Sequence, residues 1–325
     1  MNSFSLKHGM LLTLFMLSFL ASFAQGDGPR SFLVLPKGIF AVNARWIGMD
    51  QNIDATGTIL IPKAEVKVNV FPITMYHTFS LAGRFAQVSL MVNPGSVSAS
   101  AKNVPPVIPL PATTVSANGL SDGFIDFKLG LVGAPALDVV TYMKSPMQFS
   151  MLADVRYWYS GSYDESQALN LGTNRPTYQL GLPMAIPLNQ NLSKATWLEI
   201  FPSVMLFGDN NSPTRATRAD KIEQAPLLSI ENHLTHNFNP KVWVAANLLY
   251  RVGGKTTTDG VENENAQNML GGGVGVGYQF LPYLGAFADY GTILLGGPND
   301  ARSNMFRVAF NFNYVNMKKV KRANQ

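Results

Sequence analysis

The 325-residue sequence contains no cysteine, which excludes disulfide bonds, thiolate metal sites and a lipoprotein anchor. Charged residues are also scarce, at 14%, where soluble domains average about 25%. Beyond the N-terminal region no apolar run reaches the about 18 residues that a transmembrane helix needs, so we expect no membrane-spanning helix. These absences leave a chain that is poor in the residues of soluble surfaces and of redox or metal chemistry.

The N-terminus has the pattern of an export signal. Lys7 and His8 form a short polar start, Met10 to Phe23 is an apolar run, and the small residue Ala24 precedes Gln25 as at a cleavage site. We therefore predict a signal peptide at residues 1–24. Residues 25–325 are predicted to form one outer-membrane β-barrel domain, with a short N-terminal segment and a basic C-terminal tail.

The segment Phe306 to Tyr314 shows the dominant pattern of the chain. Every second residue is apolar and mostly aromatic, while Arg307, Asn311 and Asn313 lie between them. Successive strand residues point to opposite faces, so one face is aromatic and the other is polar. In an exported chain this alternation predicts a β-strand with lipid outside and water inside.

Segments of about ten residues with such alternation recur along the chain, and almost none has a helical period. They predict an all-β fold, a transmembrane antiparallel up-and-down β-barrel of about 12 strands. The predicted strands are Gly38–Trp46, Val66–His77, Phe85–Val92, Phe124–Leu131, Met147–Tyr159, Thr177–Ile186, Thr196–Phe207, Leu227–Phe238, Val242–Val252, Met269–Phe280, Tyr283–Leu294 and Asn304–Val315.

The connections alternate between long polar segments and shorter turns, as in outer-membrane barrels with long outer loops and short periplasmic turns. One connection, Gly133 to Pro146, is longer and more apolar than a periplasmic turn should be. An even number of strands places both termini on the periplasmic side. The long connections are Ile47–Glu65, Asn93–Gly123, Ser160–Pro176, Gly208–Pro226 and Gly253–Asn268.

The polar residues of the alternating strands are predicted to line the lumen, because a charge facing lipid costs roughly 2–4 kcal/mol at mid-membrane. They form either an internal salt-bridge ladder or the wall of a polar path, and the two interpretations are compatible. A row of glycines, Gly271 to Gly277, suggests room for a crossing loop or plug. Gln25 to Lys37 could enter the lumen as a small plug. The candidate lumen-lining residues are Asp126, Lys128, Asp154, Arg156, Glu199, Glu231, His233, Asn247, Arg251, Asp289 and Arg307.

Motifs for catalysis and cofactor binding are incomplete. Gly119-Leu120-Ser121-Asp122-Gly123 matches a serine-hydrolase elbow, but a Pro-rich loop precedes it and an alternating strand follows it instead of a helix. Gly254-Lys255-Thr256 resembles a phosphate loop, but Leu249 replaces its leading glycine. His233 and His236 are three apart and point to opposite faces of a strand, so they cannot share a metal. We expect no catalytic residue, no cofactor and no metal site.

Two long stretches resemble a known family. They are VWVAANLLYRVGGKTTTDGVENENAQNMLGGGVGVGY, from Val242 to Tyr278, and PTYQLGLPMAIPLNQNLSKATWLEIFPSVMLFGDNN, from Pro176 to Asn211. Gly119 to Gly123 is similar to the same family's Gly-Leu-Gly-Asp start of a strand, with Ser121 in place of a glycine. The resemblance is to the outer-membrane transporter family filed under the meta-cleavage (MetA) pathway of phenol degradation. It implies a β-barrel and uptake of aromatic compounds, and it supplies no binding residues.

The sequence therefore predicts an outer-membrane channel or transporter for small hydrophobic or aromatic molecules in a Gram-negative cell. The alternatives are a structural or adhesive barrel whose outer loops do the work and, more distantly, an outer-membrane hydrolase. Expected partners are outer-membrane lipid, the barrel-insertion machinery and a small-molecule substrate. Nucleic acid is not expected, because the basic tail Lys318 to Arg322 carries no interleaved aromatic residues.

Overall fold

The computed structural model describes residues 26–61, 64–101 and 114–314. The predicted signal peptide, the basic C-terminal tail and Val315, the predicted end of the last strand, lie outside these ranges. The strands are β1 (Phe40–Gln51), β2 (Ala64–Val70), β3 (Ile73–Leu81), β4 (Arg84–Ala101), β5 (Val115–Val132), β6 (Ser150–Tyr159), β7 (Thr177–Gly181), β8 (Met184–Pro187), β9 (Thr196–Phe207), β10 (Ile222–Gln224), β11 (Leu227–Asn237), β12 (Val242–Gly253), β13 (Thr256–Thr258), β14 (Val261–Glu262), β15 (Gln267–Leu281), β16 (Leu284–Leu295) and β17 (Ser303–Tyr314).

The strands other than β10, β13 and β14 form one antiparallel barrel, which closes where β17 pairs with β1. β2 and β3 do not pair with each other, and each pairs with both β1 and β4. The circle is continuous because β9 also pairs with β11, from Thr196 opposite His236 to Met205 opposite Leu227. Three short strands, β10, β13 and β14, form a separate sheet. Within the described ranges, no helix is long and apolar enough to cross a membrane.

Two of the spanning strands are each broken at a proline. β2 and β3 are separated by Phe71-Pro72, and β7 and β8 by Leu182-Pro183. Both predicted strands, Val66–His77 and Thr177–Ile186, were expected to be continuous. The proline nitrogen has no hydrogen to donate to the ladder, so pairing stops there. With each broken pair taken as one strand, twelve strands span the barrel, which confirms the predicted architecture.

Several strands extend beyond their predicted ends at the side of the long connections. β4 continues to Ala101 and β5 starts at Val115, where the sequence predicted one loop from Asn93 to Gly123. The two strands stay paired up to Ala99 opposite Val115. Backbone pairing does not require lipid on either side, so a hairpin can continue where the apolar alternation that marks the membrane has ended. We name this side of the barrel the long-loop end and the opposite side the short-turn end.

Regular structure also appears where only connections were predicted. The connection after β5 contains the helix α1 (Val139–Lys144), and the Asp138 carboxylate accepts hydrogen bonds from the amides of Val140 and Thr141, both at 3.0 Å. This capping stabilises the short helix. At the long-loop end, β10 pairs with β13 and β13 with β14, so two long connections form a small sheet.

The two faces of the wall differ as the alternation predicted. In β17 Phe310 and Tyr314 are 52% and 54% exposed on the outer face, while Arg307 on the inner face is 1% exposed. The same contrast separates Val155 from Arg156 in β6. The outer face is therefore apolar and the inner face is lined with polar and charged groups.

Candidate functional site

The lumen is the candidate functional site because it collects the charged residues of the barrel. All eleven candidate lumen residues are at least nine-tenths buried. Asp126 and Lys128 lie on β5, Asp154 and Arg156 on β6, Glu199 on β9, Glu231 and His233 on β11, Asn247 and Arg251 on β12, Asp289 on β16 and Arg307 on β17. Nine of them form three separate groups along the wall, while Glu199 and Arg251 bind other segments.

The first group is a four-membered charge ladder across β5 and β6. Lys128 Nζ lies 3.0 Å from Asp126 and 3.7 Å from Asp154. Arg156 Nη2 lies 3.3 Å from Asp126 and 3.4 Å from Asp154. The register places Asp126 opposite Arg156 and Lys128 opposite Asp154, so opposite charges alternate both along and across the strands. Such cross-strand pairs stabilise the wall.

The second and third groups lie on the other side of the lumen. Arg307 holds Asp289 through two bonds, Nε to Oδ1 at 2.9 Å and Nη2 to Oδ2 at 2.7 Å. His233 contacts Glu231 through Nε2 and Asn247 through Nδ1, both at 2.7 Å. His233 is completely buried and both its ring nitrogens have partners, so it holds neighbouring wall residues together.

Residues Gly26 to Lys37, which we name the plug, enter the lumen from the short-turn end. Glu231 accepts hydrogen bonds from the amides of Asp27 at 3.2 Å and Gly28 at 2.9 Å. Glu199 accepts from the amides of Arg30 at 2.7 Å and Phe32 at 2.9 Å. Two wall carboxylates thus satisfy four backbone donors of a segment that belongs to no strand. The sequence marked both glutamates as lumenal but carried no signal for these partners.

Side chains of the plug also bind the wall. Arg156 Nη1 and Nη2 donate to the two oxygens of the Asp27 carboxylate at 3.0 and 2.8 Å, which joins the plug to the charge ladder. The Arg30 guanidinium lies 4.1 Å from the centre of the Trp243 ring, a cation–π contact. The Phe32 ring is 4.8 Å from that of Phe201.

The short-turn end of the plug is held by the connection that contains α1. The hydroxyl of Tyr142 donates to the carbonyl of Val34 at 2.9 Å, and the amide of Lys37 donates to the carbonyl of Leu137 at 2.8 Å. Val34 and Leu35 pack against a cluster built by Phe85, Ala134 and Leu152. The unexpected length of this connection therefore serves to cover the plug.

The glycine row of β15 makes room for aromatic side chains rather than for a crossing segment. A Cβ atom at Gly277 would lie 1.9 Å from the Trp243 ring, and one at Gly275 would lie 2.6 Å from the Phe287 ring. The two rings stack, with centres 5.2 Å apart. Arg30 of the plug contacts the Trp243 ring and not the glycines. The atoms that a Cβ would meet at Gly275 and Gly277 are those of wall side chains and backbone, so the prediction that these glycines accommodate a plug is corrected.

The long-loop end is covered by residues 52–61, which we name the lid. Carbonyls of the lid accept hydrogen bonds from wall and loop side chains. Arg251 Nη1 donates to Gly57 O at 2.6 Å, and Gln224 and Gln267 both donate to Thr58 O at 2.8 Å. Ile53 of the lid is buried with Met269 and Ala301. Arg251 of β12 therefore lies under the lid and donates to the first long loop.

The small sheet of β10, β13 and β14 lies beside the lid. Lys221 Nζ is 2.8 Å from Asp209 and 2.7 Å from Glu223. The hydrogen bond to Asp209 has the largest effect and that to Glu223 the next largest, and together they raise the pKa of Lys221 to about 12. The exposed amine therefore keeps its charge over the whole physiological pH range.

The Gly119 to Gly123 motif has a structural role in β5. The Asp122 carboxylate accepts bonds from the amides of Gly161 at 2.9 Å and Thr173 at 3.0 Å, and from the Thr173 hydroxyl at 2.6 Å. Ser121 donates to the carbonyl of Leu171 at 3.4 Å. Strand continues through the motif, so the helix that a nucleophile elbow requires does not follow it. Asp122 ties the loop of residues 160–176 to the wall, a role that the sequence analysis missed.

The plug divides the lumen into two chambers. The lower chamber, at the short-turn end, has a volume of about 310 Å³ and a mixed wall, with polar residues such as Asn43 and Lys128 beside apolar ones such as Leu35 and Phe287. The upper chamber, under the lid, has a volume of about 140 Å³. Its apolar wall residues include Ile47, Met49, Met91, Phe124, Trp158, Phe201, Met205 and Leu249.

Four residues line both chambers and form the neck between them: Asp27, Arg45, Phe124 and Arg156. Across the part of the chain that the structure describes, no group of three or more His, Cys, Asp or Glu residues is arranged to hold a metal ion. The site is thus a partitioned lumen with charged groups at its narrowest point.

Comparisons with known proteins agree on the fold. A profile of the family described as "Putative MetA-pathway of phenol degradation" matches residues 67–305. An outer membrane channel from Pseudomonas putida F1 is similar in structure with a TM-score of 0.69 and 16% identity, covering 89% of this chain and 100% of that one. The β domain of the Bordetella autotransporter Brka has a TM-score of 0.50 and 10% identity, with coverages of 85% and 99%. No curated protein matches the sequence.

Proposed function

This chain belongs to the family described as "Putative MetA-pathway of phenol degradation", and we propose that it is a gated outer-membrane channel for small hydrophobic or aromatic molecules. In this proposal the candidate lumen residues line the path, the plug closes it at the short-turn end and the lid closes it at the long-loop end. The barrel performs no catalysis.

The observation that carries the proposal is the way in which the plug is bound. A segment that completes the core of a structural barrel would be expected to pair with the wall or to bury a continuous apolar face. The plug instead belongs to no strand, and its backbone and Asp27 bind Glu199, Glu231 and Arg156. Its apolar side chains make two separate contacts, Phe32 with Phe201 and Val34 and Leu35 with a small cluster, and open volume adjoins it. A segment bound by a few side chains can leave without unfolding the wall.

The lining and the size of the upper chamber support a hydrophobic or aromatic solute. Its wall combines Phe124, Trp158 and Phe201 with aliphatic and methionine side chains. An engineered apolar protein cavity of about 150 Å³ binds benzene, so a chamber of similar size suits one aromatic ring. The family is named for the degradation of phenol, which is consistent with an aromatic solute.

The proposal places the short-turn end and both termini in the periplasm and the long-loop end outside the cell, as in other outer-membrane barrels. The exposed outer face contacts outer-membrane lipid, and the insertion machinery delivers the chain after export. Trypsin added to whole cells should cut after Arg215 or Arg218, both exposed in a long connection. It should reach the exposed Lys241 at a short turn only after the envelope is broken.

Conductance of the purified protein in planar bilayers tests the proposal. We expect brief single-channel steps from the native chain and long openings from the variant Glu199→Ala, which removes one of the two wall carboxylates that bind the plug backbone. Circular dichroism and heat-modifiable mobility in gels should show that both barrels are folded. A folded Glu199→Ala barrel that never conducts would support the rival structural role and overturn the proposal.

A further inference from the structure

Arg45 lies in the neck between the two chambers and, unlike Arg156 beside it, is not held by a carboxylate of the described chain. Arg156 is held by Asp27 and by the charge ladder. Arg45 donates through Nε to the side chain of Asn43. Over the described ranges, no carboxylate lies within ion-pair distance of Arg45, and its two terminal nitrogens have no hydrogen-bond partner. Arg45 nevertheless lines both chambers.

The other side of the neck already holds a carboxylate. Asp27 receives two parallel bonds from Arg156, 3.0 and 2.8 Å long, which is the fork geometry in which arginine binds a free carboxylate. Asp27 belongs to the plug and not to the barrel wall. When the plug leaves, this carboxylate leaves with it, and the guanidinium groups of Arg156 and Arg45 then face the neck together.

The residues around Arg156 and Arg45 determine what the rest of a ligand bound at these two arginines would contact. The Arg156 guanidinium lies 4.3 Å from the centre of the Phe124 ring and 5.6 Å from that of Trp158. Both rings also line the upper chamber. A ligand with its carboxylate at the two arginines would thus place its apolar part against aromatic walls in a space that fits one ring.

We infer that the neck is an anion site for a small aromatic carboxylate, and that Asp27 occupies this site as an internal substitute until such a solute displaces it. The inference rests on the proposed channel function and narrows its substrate class. Displacement removes the bidentate contact between the plug and the wall. The solute that is to be transported thereby loosens the plug, whereas a neutral ring of the same size does not.

Planar-bilayer recordings with sodium benzoate as the probe test the inference. Phenol supplies the same ring without the charge, and sodium acetate supplies the charge without the ring, all at equal ionic strength and neutral pH. For the native chain we expect benzoate alone to increase the fraction of time in the open state. Removal of one charge-assisted bond weakens binding by about tenfold or more, so Arg45→Gln should need at least about ten times as much benzoate.

Two further variants complete the test. Arg218→Gln changes an exposed loop arginine far from the neck and should respond to benzoate as the native chain does. Asp27→Asn should open without benzoate, because the amide cannot form the ionic fork with Arg156. Equal effects of benzoate and phenol, or of benzoate and acetate, would overturn the inference. So would an unchanged benzoate requirement in Arg45→Gln.

The outcome also separates this inference from the proposed function. If Asp27→Asn and Glu199→Ala both conduct while benzoate has no effect on the native chain, the channel remains and only the anion site is wrong. If both folded variants stay silent, the channel function itself is wrong and the inference fails with it.

Discussion

The plug and the lid close the two ends of the same lumen with different chemistry. The plug is held mainly by charged groups, with Glu199 and Glu231 on its backbone and Arg156 on Asp27. The lid is held mainly by neutral amide side chains on its carbonyls, with one charged donor, and by a small apolar cluster around Ile53.

This difference indicates which closure is built to move in response to a solute. A hydrogen bond to a charged group contributes about 1.5–3 kcal/mol, and one between neutral groups contributes about 0.5–1.5 kcal/mol. Charged contacts also depend on competing ions, whereas neutral ones do not. The plug should therefore be a tightly held but ion-sensitive gate, and the lid a weaker cover that opens by thermal motion.

The largest expected effect is that of Glu199→Ala on the plug. The change removes the acceptor of two backbone amides, of Arg30 and Phe32, and the glutamate has no other hydrogen-bond partner in the described chain. Loss of about 3 kcal/mol corresponds to a more than hundredfold increase in the ratio of open to closed plug. Since the chain has no cysteine, labelling of Ser31→Cys in the plug by a thiol reagent measures that ratio.

The matched control for this prediction is Glu264→Ala, which removes an exposed loop carboxylate with no hydrogen bond in the described chain. It should leave the labelling rate of Ser31→Cys unchanged. Unchanged labelling in Glu199→Ala as well would mean that the plug is held by its apolar contacts, and the contrast with the lid would be lost.

The next effect in size is that of Arg251→Ala on the lid. The change removes the charged donor to Gly57 O, so about 1.5 kcal/mol is lost and the lid opens about tenfold more often. The barrel should insert normally, and its conductance, gating or uptake should change. Thiol labelling of Ala55→Cys, which is buried on the lid, measures the opening directly.

The control here is Arg302→Ala, because the Arg302 side chain is 62% exposed beside Asp300. If Arg251→Ala matches this control in permeability to ions and small aromatic molecules, Arg251 only supports the wall. The lid would then be held by neutral contacts and packing alone.

A smaller effect is expected from Gln267→Ala, which removes one neutral donor to Thr58 O. Loss of about 1 kcal/mol should raise labelling of Ala55→Cys about fivefold and leave that of Ser31→Cys unchanged. Higher salt should not alter this fivefold ratio to the native lid, because neither partner of the lost bond is charged. A salt-dependent ratio would show that the contact of Gln267 itself depends on ions.

The smallest effect is expected from Arg30→Lys in the plug. Lysine keeps the charge but loses the flat guanidinium that lies over Trp243. A difference of about 0.5–1 kcal/mol raises the open-plug ratio about twofold to fivefold. Single-channel open times measure it. An effect as large as that of Glu199→Ala would place the main anchor of the plug at Trp243 instead.

Most of the wall could be predicted from the sequence because each strand carries its own pattern. The predicted bounds of Thr196–Phe207 match β9, and those of the last four strands agree within two residues over the described chain. The breaks at Pro72 and Pro183 were missed because alternation continues across a proline that has lost its backbone donor. The long β4–β5 hairpin was missed because the apolar signal ends where the lipid ends.

The candidate site could be predicted from the sequence only in part. Alternation placed Glu199, Glu231 and Arg251 on the polar face of their strands, but it carried no information about what each one binds. Their partners are carbonyls and amides of the plug and the lid, 167 to 204 residues away for the two glutamates. Backbone groups are the same at every position, so no sequence pattern marks them as ligands.

Local alternation was enough to predict the number of spanning strands and which side chains face outward, because a strand repeats every two residues and each repeat is local. The folded barrel was needed to show that the plug lies in the lumen, that Asp27 binds Arg156 and that Arg45 lines the neck. These contacts depend on the closure of the barrel and on the path of segments without a period. The wall can therefore be predicted from local sequence pattern, whereas the plug and the lid are held by contacts between distant parts of the chain.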